Sequence, residues 1–399
     1  MAAQRIIIIG GTGFIGSHLV PRLAALGHQV TLLTRRPERH RQYRIGSRVR
    51  LVQANPYAAG ELAPLLADCD CVINLAGILN EQGNSTFSRV HVDLPRALVK
   101  VMREAGVSRL LHMSALNADV NETRGRYLKT KGEGENLVHQ SPGVEVTSFR
   151  PSVVFGPGDS FFRRFAGLLK MMPVPVFPLA CADARFAPVY VGDVVAAFVH
   201  ALEHRATVGQ RLELCGPQVY TLRELVAYTA ELIGKKIWIV GLPDVAARAQ
   251  AHLMGLLPGK PFTLDNYYSL QKDSVCSQPA AFSLPPRSVE AIVPGYLGGA
   301  NTRARYYDSR ARARRRPCWK YSWSAGRCAT NCSACPCWNV TGSWSARRRS
   351  SCSRSATGRS ARISRCSCTR KPARNTRWRA PNAKWRRATG DLNFTPTPA

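Results

Sequence analysis

Four consecutive isoleucines at residues 6–9 run without a spacer into Gly10-Gly11-Thr12-Gly13-Phe14-Ile15-Gly16. A short β-branched apolar run is the pattern of a strand covered on both faces in a parallel sheet. The glycines at 10, 13 and 16 follow G-x-x-G-x-x-G spacing, and a helical pattern comes next, with Ile15, Leu19, Leu23 and Leu26 on one face and Gly27 at its end. Residues 29–33 read as a second strand. The order strand, glycine turn, helix, strand is what makes the glycine motif specific. The turn lets backbone N–H groups approach a pyrophosphate, and the helix N-terminus adds its positive end. Pro21 falls inside the expected helix and removes one backbone bond, so a bend is expected there.

The end of the second strand bears on which dinucleotide fits. A site for NAD usually offers an acid about 20 residues beyond the glycines, for the ribose 2′-hydroxyl. Here the chain reads Thr34-Arg35-Arg36-Pro37, with no acid before Glu38. Two guanidiniums suit a 2′-phosphate, because Arg pairs with phosphate through parallel hydrogen bonds. NADP(H) is therefore expected over NAD(H).

Strands and helices keep alternating. Residues 49–52 give a third strand, 61–66 a short helix, and 71–77 a fourth strand and its turn, whose small residues would let backbone lie against the cofactor. A helix carrying Leu94, Leu98, Val99 and Met102 follows, then a fifth strand over 109–113 that ends at Ser114. This predicts an α/β fold, a Rossmann-type doubly wound parallel sheet with its ligand at the carboxyl ends of the strands, followed by a small C-terminal substrate lobe. Tyr127 and Lys131 form a Y-x-x-x-K pair, four residues apart and on one side of a helix. A neighbouring ammonium favours phenolate, so the Tyr127 pKa is expected to fall toward a range useful for acid/base work.

These residues together resemble an atypical, extended short-chain dehydrogenase/reductase of the NAD-dependent epimerase/dehydratase superfamily. More narrowly, they resemble the complex I accessory subunits called alpha-subcomplex subunit nine and their bacterial relatives. The resemblance rests on GGTGFIG at 10–16, NLAGIL at 74–79, YLKTKGEGE at 127–135, FRPSVVFGPGDSFF at 149–162, RFAPVYVGDVVAAF at 185–198, CGPQVYTLREL at 215–225 and LPGKPFTLDNYYSLQKDSV at 257–275. It covers about residues 4–300. It implies NADP(H) held by Gly10, Thr12, Gly13, Phe14, Ile15 and Gly16, with Arg35 and Arg36 at the 2′-phosphate and Asn55 facing the adenine. Leu75, Ala76, Gly77 and Pro151 would complete that surface. Tyr127 and Lys131 match the family's catalytic pair, with Ser114 beside them. The chain departs from the family at Ser114-Ala115-Leu116, where relatives carry a run of small hydroxyl residues; Thr123 is the alternative hydroxyl. The resemblance implies an accessory or assembly factor of respiratory or quinone metabolism, whose partners are a nicotinamide dinucleotide and a respiratory-chain or quinone-pathway protein. An active NADP-dependent oxidoreductase or epimerase using Tyr127 and Lys131 is the alternative.

Further along, Gly156-Pro157-Gly158-Asp159 breaks the chain after a sixth strand. Asp193 is expected to cap a helix over 194–202, and Thr221-Leu222-Arg223-Glu224 reads as a capping box. Residues 243–257 form a further amphipathic helix, expected to pack on the lobe, with a membrane or partner surface as the alternative. The histidines show no metal-ligand spacing, and no metal is expected. Cys69, Cys71, Cys181, Cys215 and Cys276 are scattered, which suits reduced thiols.

Charge divides the chain. Its net charge is +31, and residues 309–399 hold 22 Lys+Arg against one acid, Asp391. That stretch contains only Val340, Ile363 and Leu392 as branched aliphatics, too few to offset its chain entropy by burial. It reads as a disordered, out-of-frame tail, and its Arg and Trp residues carry no organised nucleic-acid module. The expected division is 1–155 with 185–203 as the dinucleotide domain, 156–184 with 204–305 as the substrate or partner lobe, and 309–399 as tail. No stretch of about 18 apolar residues exists. No signal or transit pattern opens the chain, so a bacterial cytoplasmic protein is expected, at most peripheral at the inner face of the plasma membrane.

Overall fold

The isoleucine run forms β1 (Arg5–Ile9), and Ile6 to Ile9 are all buried. In a strand, alternate side chains face opposite sides. Ile6 and Ile8 accordingly enter one core and Ile7 and Ile9 another. The computed structural model describes residues 3–45, 47–256, 262–278 and 285–298. The tail expected from 309 lies outside the described residues.

Helix α1 (Phe14–Ala25) returns the chain to β2 (Gln29–Thr34), which is followed by β3 (Val49–Gln53), α2 (Ala59–Leu66) and β4 (Cys71–Asn74). Next come α3 (Leu94–Glu104), β5 (Arg109–Met113), α4 (Arg126–His139) and β6 (Glu145–Pro151). A seventh strand, Arg211–Leu214, joins β6 at the edge. The sheet order is Arg211–Leu214, β6, β5, β4, β1, β2, β3, and all its pairings are parallel. The order reverses between β1 and β4, the place where a doubly wound sheet opens a crevice. One face is covered by α1 and by α6 (Val191–Glu203), reached after α5 (Phe161–Met171). The other is covered by α2, α3 and Val138 of α4. Helix α1 runs through Pro21, on its exposed side, over all 12 residues. It buries Leu19, Val20 and Leu23, while Leu26 stands outside, at the C-cap.

A separate core serves the second lobe. It joins Phe155, Phe162 and Phe186 to α7 (Leu222–Leu232) and to Val289 and Val293. The capping box at Thr221 is present, with Glu224 reaching back to the Thr221 N–H at 2.7 Å. Asp193 does not cap its helix. Helix α6 starts two residues earlier, and the Asp193 carboxylate in its first turn accepts the Arg287 N–H at 2.8 Å. The buried Asp159 carboxylate instead organises the turn after β6, accepting N–H groups of Gly156 and Phe162.

The cysteine expectation needs correction. Cys69, Cys71 and Cys181 are free, but Cys215 and Cys276 form a disulfide. The edge strand delivers Cys215 to the side of the segment around Ser274, which Ser152 and Glu213 hold through hydrogen bonds to Ser274 and Ser277. These contacts bring the two Cα atoms to 6.0 Å although 61 residues separate them. Sequence spacing carries no trace of that proximity.

Phe198 of α6 lies fully buried against Phe149 of β6, with ring centroids 3.9 Å apart. Phe198→Ala should lower unfolding free energy by about 3–5 kcal/mol, read as a lower urea midpoint at unchanged m-value.

Candidate functional site

The crevice is built first by the glycine turn. Gly10 has φ +76°, and a Cβ there would stand 2.8 Å from the Ala76 nitrogen. A Cβ on Gly16 would collide with the Gly11 carbonyl. Only glycine lets the turns after β1 and β4 approach so closely and lets α1 start directly beneath. Helix α1 has no side-chain cap hydrogen bond and no acid in its first turn. Gly13 at its N-cap is exposed, with Thr12, Phe14 and Ile15 half-buried around it. Free amide groups at a helix N-terminus beneath a bare glycine turn fit a pyrophosphate.

At the end of β2, both arginines are exposed, and neither guanidinium has a partner among the described residues. Burial pushes the Tyr57 phenol up, against the opposing positive charges of Arg89 and Arg35, which places Arg35 near that ring. Arg89 covers the ring at 4.9 Å. Asn55 spends its side-chain oxygen on the Tyr57 N–H at 3.2 Å and gives its own N–H to Glu61 at 2.7 Å. Its exposed side-chain amide remains at the end of β3. The turn after β4 is fixed by Asn74, whose oxygen accepts the Ala76 N–H at 3.1 Å, and by Leu75, whose N–H donates to Ile9.

Tyr127 and Lys131 both lie on α4 and both reach this crevice. The Lys131 ammonium donates to the Met113 carbonyl at 3.1 Å and stands 3.2 Å from where a Cβ on Gly77 would be. Tyr127 meets His91 and Phe87 edge-on, at 5.6 and 5.9 Å between centroids. The expected fall in the phenol pKa is not found. Burial pushes Tyr127 up to about 12, and burial lowers Lys131 to about 8, partly offset by Glu135. Desolvation of the half-buried phenol is the cause of its rise, with no opposing effect of the Lys131 ammonium.

Ser114 follows β5 as expected, but its hydroxyl proton goes to Glu135 at 2.7 Å. Ala115 and Leu116 are buried, and the Leu116 N–H is held by the Pro151 carbonyl at 3.0 Å. Thr123 is exposed and lines a separate cleft of about 1160 Å³ with Arg124, Arg223 and Lys272, a cleft that Tyr127 and Lys131 do not line.

Two residues at the site escaped sequence reasoning. Glu135 is wholly buried and gathers Ser114, Arg150 at 2.9 Å and Arg211 at 3.1 Å. His91 sits in a π-helical turn, Arg89–Asp93, ahead of α3. Its Nε2 accepts the Ile78 N–H at 3.2 Å, and its Nδ1 faces Thr130 at 3.0 Å. The sequence signal for Glu135 was its place four residues beyond Lys131 on one helix side. His91 had no signal, because an isolated histidine is ordinary. No cluster of potential metal ligands occurs among the described residues.

Residues 6–215 match the family model described as NAD dependent epimerase/dehydratase family. The mitochondrial NADH dehydrogenase (ubiquinone) 1 alpha subcomplex subunit 9 of Mus musculus is 31% identical over 264 residues, 64% of this chain and 68% of that protein. A ceramide reductase of Caulobacter vibrioides is 30% identical over 243 residues, 60% of this chain and 74% of that protein. The crystal structure of a UDP-glucuronic acid 4-epimerase from Bacillus cereus, solved with a UDP sugar derivative and NAD, superposes with a TM-score of 0.52 at 18% identity. It covers 67% of this chain and 98% of its own.

Burial holds His91 down to about 2, helped by the Lys131 charge, and holds His112, behind it on β5, down to about 3. Both imidazoles are neutral when folded and take a proton only on unfolding below about pH 6.5. Stability should therefore fall as pH drops from about 6.5 toward 3, by about 1.4 kcal/mol per pH unit for each imidazole. Chemical denaturation at successive pH values checks this, and His112→Gln should remove one imidazole's share of the slope.

Proposed function

The chain belongs to the NAD dependent epimerase/dehydratase family, and on that premise we propose that it binds a nicotinamide dinucleotide, prefers NADP(H), and serves as an accessory or assembly factor in respiratory or quinone metabolism. The observation that carries the accessory role is the commitment of the Ser114 hydroxyl to Glu135, with apolar, buried Ala115 and Leu116 where the family places further hydroxyls. A proton relay through Tyr127 lacks its usual neighbour. The similarity to the mouse complex I subunit supports the same reading. In it, residues 1–155 with 185–203 hold the cofactor, and 156–184 with 204–305 meet a partner. The protein works in the cytoplasm or at the inner face of a membrane.

The dinucleotide, when bound, supplies hydride chemistry. Gly10, Gly13 and Gly16 admit its pyrophosphate, and Arg35 and Arg36 neutralise the 2′-phosphate. Leu75, Ala76, Gly77 and Pro151 wall the opposite side. A second reading, an active reductase, is favoured by the placement of Tyr127 and Lys131 in one crevice and by the similarity to the ceramide reductase. There Tyr127 holds the proton and Lys131, charged up to about pH 8, faces the Gly77 turn.

Titration calorimetry with NADPH and NADH should show the preference, and Arg35→Ala with Arg36→Ala should erase about 10- to 150-fold of it. Equal affinity of the parent protein for both cofactors would sink the NADP(H) assignment. In an assay with ketone substrates, turnover that Tyr127→Phe cuts by about 10²–10⁴-fold would instead select the reductase.

A further inference from the structure

Helix α8 (Asp244–Leu256), which follows α7, turns its small residues inward and its large ones outward. Ala247 and Ala251 are buried against Ala180 and Tyr267. Val245, Leu253 and Leu256 are 81%, 68% and 80% exposed. With Ala249 they fall at i, i+4, i+8 and i+11, which is a single stripe. The helix packs on the lobe as expected, through Ala247 and Ala251 and through Asp244 and Arg248 on the Tyr267 hydroxyl, but its large apolar side chains at 245, 253 and 256 stay outside.

The stripe is not isolated. Immediately before α8, strand Trp238–Gly241 pairs in parallel with strand Val176–Leu179, and Trp238 faces Val176 in the register. Alternate residues of both strands point outward, leaving Trp238 79% and Val240 48% exposed. Met171 and Val174, at the end of α5, extend the same region, tied to it by the Lys235 ammonium on the Leu169 and Lys170 carbonyls. Gln250 of α8 donates to the Pro178 carbonyl and joins the helix to the ribbon. Of the eleven exposed large apolar side chains among the described residues, eight belong to these three segments, a concentration rather than a scatter.

We propose that this face docks on an anionic lipid bilayer. Its charges fit that occupant. Residues 170–178 and 235–256 contain Lys170, Lys235, Lys236 and Arg248 against one acid, Asp244, and that acid pairs with Arg248 at 3.0 Å. Lys170 and Lys236 are exposed, without a side-chain partner among the described residues. Lys236 stands two residues before Trp238, on its outward side. The same segments contain no Ser, Thr, Asn, Tyr or Glu. A protein partner would need a hydrogen bond for roughly each 100–200 Å² of contact, and beyond its cations, Gln250 and His252 this surface has no further polar side chain but Asp244 to offer one. Leucine and valine beside an indole and free ammonium groups are what the boundary between acyl chains and acidic headgroups accepts. No helix among the described residues is long and apolar enough to cross a membrane, so the contact is with one leaflet.

The test uses the full chain and vesicles of phosphatidylglycerol and phosphatidylcholine with brominated acyl chains. Residues 309–399 carry their own positive charge and six tryptophans, so two controls separate them. Measurement in about 0.5 M NaCl screens purely electrostatic attachment. The fluorescence difference between the parent and Trp238→Phe isolates Trp238. The expected result is a blue-shifted, bromine-quenched Trp238 signal that persists at high salt. Leu253→Ser with Leu256→Ser should lower vesicle partitioning at least about tenfold while leaving dinucleotide affinity unchanged. An unquenched Trp238 signal, or equal partitioning of the double variant, overturns the proposal. A lipid-independent dimer in light scattering that the double variant dissolves overturns it in favour of a second copy of the chain.

Discussion

Burial of β1 on both faces is the constraint from which the rest of the structure follows. Its isoleucines must be covered alternately from two sides, so α1 and α6 are drawn to one face of the sheet and α2 and α3 to the other. Once both faces are closed, the strand ends are the place left for chemistry, and the reversal of order between β1 and β4 opens them there. The glycine turn, the arginines at the end of β2 and the turn at Asn74 all gather at that edge.

Within the crevice, electrostatics is governed by one wholly buried carboxylate. Glu135 accepts hydrogen bonds from Ser114, at the end of β5, and from Arg150 of β6, and forms an ion pair with Arg211 of the edge strand. Two guanidiniums and a hydroxyl make its burial tolerable, since an unpaired carboxylate at that depth would neutralise itself. The same charge partly offsets the desolvation of Lys131. A single residue thus couples the strand ends to the helix carrying Tyr127, and takes from the crevice the hydroxyl that acid/base chemistry would use.

The fold was legible in the sequence wherever a short-range pattern encoded it. The isoleucine run, the glycine spacing and the alternation of strands with helices specify the doubly wound sheet, and Thr221 with Glu224 announces its own helix start. Tyr127 and Lys131 were legible because helical spacing alone puts them together. What sequence could not supply was proximity between distant segments. Cys215 and Cys276 meet only because the edge strand and the Ser274 segment are held together by other bonds. The Tyr127 pKa followed its burial among Phe87 and His91, which no i, i+4 rule contains. The cap expected at Asp193 lies three residues earlier, at Tyr190, which has no capping side chain to announce it. For α8, amphipathic periodicity was visible, but periodicity does not say which face turns inward.

The link between Cys215 and Cys276 gives the second lobe a property that neither its core nor its contacts describe. The excursion that contains α7 and α8 leaves the sheet and comes back at nearly one point, its two ends 6.0 Å apart. It is a closed ring hung from the sheet's edge. The ring also carries the strand Trp238–Gly241, paired with Val176–Leu179, and Asp265 and Asn266, which respectively accept the Arg126 N–H and donate to the Leu79 carbonyl, so a change within it reaches the start of α4 and the turn after β4.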